Sequence, residues 1–337
     1  MNYYSENTIV YLDGKFIAAT EAKVDLYTQS LHYGYSVFEG IRSYRTVTGE
    51  TKIFKAHEHY SRLRISADAL NIPFDYTVEQ LIDATYQLLE QNNLQEAYIR
   101  PLVYSPANMG FNKNTESHLL IAVWEMPLFF GEKLLRVKTS SFERPNPKAF
   151  KIHAKAAGHY VNSILASQEA KADGYDEALL LDSKGNVAEG TGANVFYEKD
   201  RVLYTPAEGN ILAGITRATV IDLCHEFDIP VVEKFFKPEE IRGADSCFYC
   251  GTAAEIVGLE SLDDVPFKLK WEGSLGYVLQ KTYSNLIREH KHAQTTFILD
   301  RDSVELAEVE TNPDAAKLVG TTTSNVVMTQ PLTGTKS

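Results

Sequence analysis

The sequence predicts an α/β chain of the α+β type, organised as two α/β domains. Three observations carry this. At 337 residues the chain is long for one domain and comfortable for two. Its composition, 44% hydrophobic and 23% charged, is that of a globular protein able to bury a sizeable core. Finally, strands and helices mix on both sides of a Pro-containing polar segment at 131–150, GEKLLRVKTSSFERPNPKAF, which reads as a seam with a linker near 131–137. The boundaries expected are a small N-terminal domain over 1–133, a larger one over 134–292, and an extension over 293–337.

The chain opens with TIVYLDGKFI, two β-rich runs around Asp13-Gly14, the dipeptide most suited to a tight hairpin. From Phe54 to Leu70 the apolar positions Leu63, Ile65, Ala69 and Leu70 have helical spacing. Thr77-x-x-Gln80 forms a capping box for a second helix, with Val78, Leu81, Ile82, Leu88 and Leu89 on one face. AYIRPLVY and HLLIAVWEM then read as strands on either side of the loop SPANMGFNKN.

Beyond the seam, VNSILASQEAKADGY reads as an amphipathic helix ended by Gly174. A meander follows through residue 206, with turns at Ser183-Lys184-Gly185 and Lys199-Asp200. GITRATVIDLCHEF opens a helix directly after a Gly, and SLGYVLQKTYSNLIREH is the last helix expected of the two domains. Residues 303–318 have the pattern of a short helix, and the last twenty or so, rich in Thr, are expected to be loosely attached.

A net charge of -12 argues against nucleic acid or an anionic membrane as partner, since both require a clustered basic face. No segment approaches the length of a membrane helix and the N-terminus lacks a signal pattern, so a cytoplasmic protein is expected. Three cysteines, Cys224, Cys247 and Cys250, form no disulfide framework and fit a reducing compartment. The Cys-x-x-Cys in SCFYCG has no second pair and reads as part of a buried strand. His57-x-His59 and His290-x-His292 lack further ligands at metal spacing, so no metal is expected.

Gly190-Thr191-Gly192 continues into strand-like VFYEKDRVLY, which excludes a dinucleotide fingerprint. Leu212 to Arg217 is a better anion site: a Gly leads into a helix start whose free N–H groups favour a phosphate. Gly251-Thr252-Ala253-Ala254-Glu255 is a second turn of small residues. KAFKIHAKAAGHY (148–160) adds three lysines that local spacing does not distinguish, and Glu189 adds a carboxylate. An amine, a carboxylate and a phosphate cradle are the parts a pyridoxal phosphate site needs.

LHYGYSVFEGIRSY (31–44), EHYSRL (58–63), AYIRPLVY (97–104), KAAGHY (155–160), EGTGANVF (189–196), GITRA (214–218) and GTAAEI (251–256) together resemble the class IV, fold-type IV pyridoxal-phosphate aminotransferases. Within these they are most similar to the branched-chain amino acid aminotransferases. The resemblance implies a homodimer whose larger domain carries a β-barrel-like sheet, with the site at the domain interface. Lys155 would form the internal aldimine with pyridoxal 5'-phosphate and shuttle the proton. Glu189 would pair with the pyridine nitrogen and Tyr160 with the phenolic oxygen. Arg62, the N–H groups of Ile215 and Thr216 and the Thr252 hydroxyl would hold the phosphate.

On the substrate side the resemblance implies Tyr98, Thr252 and Ala253 for the α-carboxylate, and Phe38, Gly40 and a Tyr33 from the partner subunit for the apolar side chain. Arg100 would receive the distal carboxylate of glutamate; Arg42 belongs to the same set. Met126 and Phe129 stand where the bacterial pattern has Trp and Tyr, which removes one hydroxyl from the pocket. The reaction implied is transamination of L-leucine, L-isoleucine and L-valine with 2-oxoglutarate. D-amino acid and amine transaminases and aminodeoxychorismate lyase share the fold and are the alternatives, beside a silent homologue, which the presence of Lys155, Glu189, Tyr160 and Arg62 together opposes.

Overall fold

Asp13 and Gly14 both adopt positive φ, 47° and 84°, as a tight hairpin turn requires, and join β1 (Ile9–Leu12) to β2 (Lys15–Ala18). In the computed structural model, which describes residues 3–131 and 133–289 and three later strands, this hairpin forms one side of a seven-stranded antiparallel sheet. The chain continues through α1 (Gln29–Tyr33), β3 (Ser36–Phe38), β4 (Ile41–Arg45), β5 (Thr51–Ile53), α2 (Ala56–Ala69), α3 (Val78–Gln91), β6 (Ala97–Tyr104) and β7 (His118–Trp124). The order is β2-β1-β7-β6-β4-β5, with β3 also paired to β6.

Helices α2 and α3 supply the core of this sheet. The capping box forms in full: Gln80 N–H donates to the Thr77 hydroxyl and Thr77 N–H to the Gln80 side chain. Val78, Leu81, Leu88 and Leu89 are buried as the spacing predicts. On α2 the expected face is corrected. Ile65 is 56% exposed, and the buried side is His59, Tyr60, Leu63, Ser66 and Ala67. Two polar residues occupy core positions there because each has a hydrogen-bond partner, and partner contacts outrank hydrophobicity as a signal.

The second sheet begins with β8 (Leu135–Glu143), so residues 135–137 of the expected linker are already strand. Then come α4 (Tyr160–Ala172), β9 (Glu177–Leu181), β10 (Val187–Gly190), β11 (Asn194–Lys199), β12 (Val202–Pro206), α5 (Ile215–Glu226), β13 (Val231–Lys234), α6 (Pro238–Arg242), β14 (Ser246–Gly251), β15 (Glu255–Leu262), β16 (Val265–Pro266) and α7 (Leu275–Ile287). Nine strands run β10-β9-β8-β15-β14-β11-β12-β13, with β16 beside β15. The β8 pairs with β9 and β15 and the β12–β13 pair are parallel. The sheet curls into a half-barrel, and Gly190 N–H donates to the Ala193 carbonyl, which draws β10 toward β11.

Helix α4 ends before Gly174, whose φ of 83° stops it as expected. It packs on the sheet through Ala166 and Ala170, while Val161, Ile164 and Leu165 face outward. Successive strand residues point to opposite faces, so Cys247 and Cys250 enter different cores. Burial raises all three thiols, Cys224 to about 12. The later strands are Thr295–Leu299, Val304–Glu308 and Val326–Met328. Val304–Glu308 replaces part of the helix expected over 303–318; the rest of that segment, most of the tail and His290-x-His292 lie outside the described residues.

Candidate active site

Lys155 sits on the loop between β8 and α4, fastened to the first sheet by its backbone. Its carbonyl accepts from Phe38 N–H at 3.1 Å, and its N–H donates to the buried Ser66 hydroxyl on α2 at 3.0 Å. Three residues on, Gly158 N–H donates to the Gly34 carbonyl, and a Cβ on Gly34 would lie 2.8 Å from Gly158 Cα. Only glycine allows this approach. The Lys155 amine then reaches the Tyr160 hydroxyl at 2.9 Å, whereas Lys148 and Lys151 are exposed.

The amine opens into a cleft of about 490 Å³, counting its mouth, lined by Arg62, Lys155, Tyr160, Glu189, Ile215, Thr216 and Thr252. Glu189, on β10, accepts from Asn194 Nδ2 and from Leu212 N–H, both at 3.1 Å. Arg144 Nε lies 2.5 Å from its other oxygen. No N-cap side chain bonds the start of α5, whose Ile215 and Thr216 line the cleft. Gly214 precedes them, and a Cβ there would fall 1.9 Å from Asn194 Oδ1.

Arg62 reaches this loop from α2, and its Nη1 donates to the Ala213 carbonyl at 2.8 Å. Its Nε and Nη2 grip the fully buried Glu39 carboxylate at 2.6 and 2.9 Å. His59 Nδ1 meets the same carboxylate at 2.8 Å. Burial alone would raise the Glu39 carboxyl, but Arg62 and His59 outweigh it and hold it far below the usual carboxylate range. Burial lowers His59, so the ring stays neutral at neutral pH and donates from Nδ1 to an oxygen that only accepts.

Next to the amine stands an aromatic and cationic wall. The Phe38 ring lies 4.8 Å from that of Tyr160, and the Arg100 guanidinium 4.5 Å over Phe38. Arg100 donates to the Tyr98 hydroxyl at 3.0 Å, which fits only because residue 40 is glycine: a Cβ there would be 2.0 Å away. Thr252 and Ala253 form the turn between β14 and β15. Arg42 spends its guanidinium on the carbonyls of Ala253 and Met126, at 3.3 and 2.5 Å, and Phe129 N–H also donates to Ala253. Arg42 therefore clamps two loops together. The Phe129 side chain is 62% exposed. Tyr33 stands apart from the cleft, its hydroxyl donating to the Met109 carbonyl at 3.3 Å and its ring against Phe111.

The profile of the Amino-transferase class IV family matches residues 36–262. The branched-chain-amino-acid aminotransferase of Pseudomonas aeruginosa is 38% identical over 302 residues, covering 87% of this chain and 98% of that protein. The chain belongs to the branched-chain aminotransferase family, within class IV. Among solved structures, the branched-chain aminotransferase of Thermoproteus uzoniensis with norvaline superposes with a TM-score of 0.81 at 35% identity, over 85% of this chain and 96% of that one. The branched-chain amino acid aminotransferase of Thermobaculum terrenum, in its PLP-bound holo-form, gives 0.79 at 32% identity, over 90% of this chain and 99% of that one. The curled sheet is thus the fold-type IV arrangement.

Branched-chain aminotransferases depend on pyridoxal 5'-phosphate, and the cleft of this member fits that group. It offers an amine, a carboxylate and an uncapped helix start within one cavity, and glycine where the backbone must come close. Two residues of this aminotransferase site escape sequence reasoning. Glu39 lies inside the quoted LHYGYSVFEGIRSY run without a role, and Arg144 lies in the Pro-containing polar segment, also without one. Their meaning lies in partners distant in sequence, Arg62 and Glu189.

Proposed function

We propose that the chain catalyses reversible transamination of L-leucine, L-isoleucine and L-valine with 2-oxoglutarate, giving the branched-chain 2-oxo acids and L-glutamate. The observation that carries this is the Lys155 amine, 2.9 Å from the Tyr160 hydroxyl, in one cleft with the Glu189 carboxylate and the start of α5. Pyridoxal 5'-phosphate supplies an aldehyde carbon to carry the amino group and a ring to draw electrons from the substrate Cα.

The side chains do the rest. Lys155 would be the amine that holds the cofactor and the base that takes the proton from the substrate Cα. Tyr160 holds the phenolic oxygen, and Glu189 keeps a proton on the ring nitrogen. Arg62, Thr252 and the N–H groups of Ile215 and Thr216 hold the phosphate. Phe38 and Gly40 shape an apolar pocket, Tyr98, Thr252 and Ala253 orient the α-carboxylate, and Arg100 offers a cation to the second carboxylate of glutamate. Arg42 orders the loops of Ala253 and Met126, with Phe129 at the outer edge.

The reading extends to a homodimer, supported by outward-facing Leu31, Tyr33 and Phe111 around α1 and by Val161, Ile164 and Leu165 on α4. In that dimer Tyr33 completes the neighbouring site. The reading assigns the two sheets to domains over 1–133 and 134–292. Three buried free thiols support a cytoplasmic setting, and among the described residues no helix is long and apolar enough to cross a membrane.

An absorbance spectrum of the purified protein tests the assignment. A yellow band should bleach with L-leucine and return with 2-oxoglutarate, and Lys155→Ala should abolish turnover. Full turnover in that variant, or bleaching by D-alanine alone, would overturn it.

A further inference from the structure

We propose that Glu39, backed by His59, is a positioning residue that presets Arg62 and, through Arg62, the phosphate-binding loop. This rests on the reading of Arg62 as a phosphate ligand and goes beyond it to what holds that ligand in place.

A guanidinium has five N–H donors in a planar fork. Arg62 commits Nε and one hydrogen of Nη2 to Glu39, and one hydrogen of Nη1 to the Ala213 carbonyl. Two hydrogens therefore remain, one on each terminal nitrogen, the number a phosphate fork uses. The carboxylate that fixes the plane is itself immobile. Glu39 N–H donates to the Pro101 carbonyl at 2.9 Å, and the side chain is fully buried with His59 Nδ1 at 2.8 Å. A freely rotating arginine would lose rotamer freedom on binding phosphate; here that loss is taken during folding.

The same contacts shape the loop. Arg62 holds the carbonyl of Ala213, Glu189 holds the N–H of Leu212, and Gly214 lies hard against Asn194. The N–H groups at the start of α5 are thus aimed before any anion arrives. Charge alone argues the other way, since a carboxylate beside Arg62 weakens the pull on a phosphate dianion. Removing the Glu39 charge separates the two effects.

The test compares binding of pyridoxal 5'-phosphate and of pyridoxal, which lacks the phosphate, to the full-length chain stripped of cofactor, by equilibrium dialysis. E39Q keeps the shape and loses the charge; H59F keeps a ring and loses the donor. Losing one preset side chain should weaken pyridoxal 5'-phosphate binding about tenfold in E39Q and less in H59F. Pyridoxal affinity should stay within about twofold, because its contacts are elsewhere. Equal losses for both ligands would show a merely structural role, and tighter phosphate binding would show that charge outweighs geometry; either overturns the proposal. Should E39Q not fold, H59F alone decides by the same ratio. Wild-type protein with equal affinity for both ligands would instead overturn the phosphate-site reading itself.

Discussion

A histidine buried without a partner for one ring nitrogen leaves a mark on stability. His159 precedes Tyr160 in the loop that carries Lys155, its Nδ1 is unpaired, and its ring edge meets Phe150. Burial, then the nearby Arg144 and His153, lowers it from 6.5 to about 4. Above pH 6.5 the ring is neutral folded or unfolded and its contribution is fully present. Between pH 6.5 and about 4 only the unfolded chain takes the proton, so stability falls as the pH drops. With solvent screening allowed for, the loss should approach about 2 kcal/mol. Urea denaturation of wild type and His159→Asn across that range should show the difference between them shrinking as the pH falls; a constant difference would refute the assignment. His59 titrates in the same direction, so only the comparison isolates His159. The sequence marked Lys155, Glu189 and Tyr160 because motif order separates them from ordinary charges. It was silent on Arg144 and Glu39, since a charge read singly has no visible partner.

Elements with strong local chemistry were legible. The Asp13-Gly14 hairpin and the α3 capping box formed where expected because turn and cap geometry depend on neighbouring residues alone. Thr77→Ala should therefore cost about 1 kcal/mol in chemical denaturation with turnover unchanged, since no residue of α3 lines the cleft. A change in catalysis instead would mean that α3 communicates with the site. The face of α2 was misread because its two polar core residues are stabilised by the distant Glu39 and Lys155. The buried stripe of α4 is alanine, a poor hydrophobic signal, while its larger apolar residues point outward.

For the molecule as a whole, those outward residues state the strongest expectation. Phe111 is 90% exposed and packs on Tyr33, itself next to the glycine contact that seats the Lys155 loop. Two-sided burial of such a patch by a second copy is the economical outcome. Leu31→Asp with Phe111→Asp should yield a monomer in analytical ultracentrifugation and lose most activity, while an unchanged dimer would place the interface elsewhere. Two sheets were readable from the strand runs; their joining was not, because the contacts that connect them, such as Arg42 to Ala253, span most of the chain.

The loop at 212–214 is held by Glu189, Arg62 and Asn194 before any ligand contributes. On the proposed reading it is a socket cut by the chain's own contacts. Taking the cofactor out should leave the mould standing, so loading and unloading become matters of supply, and an emptied molecule remains a usable blank.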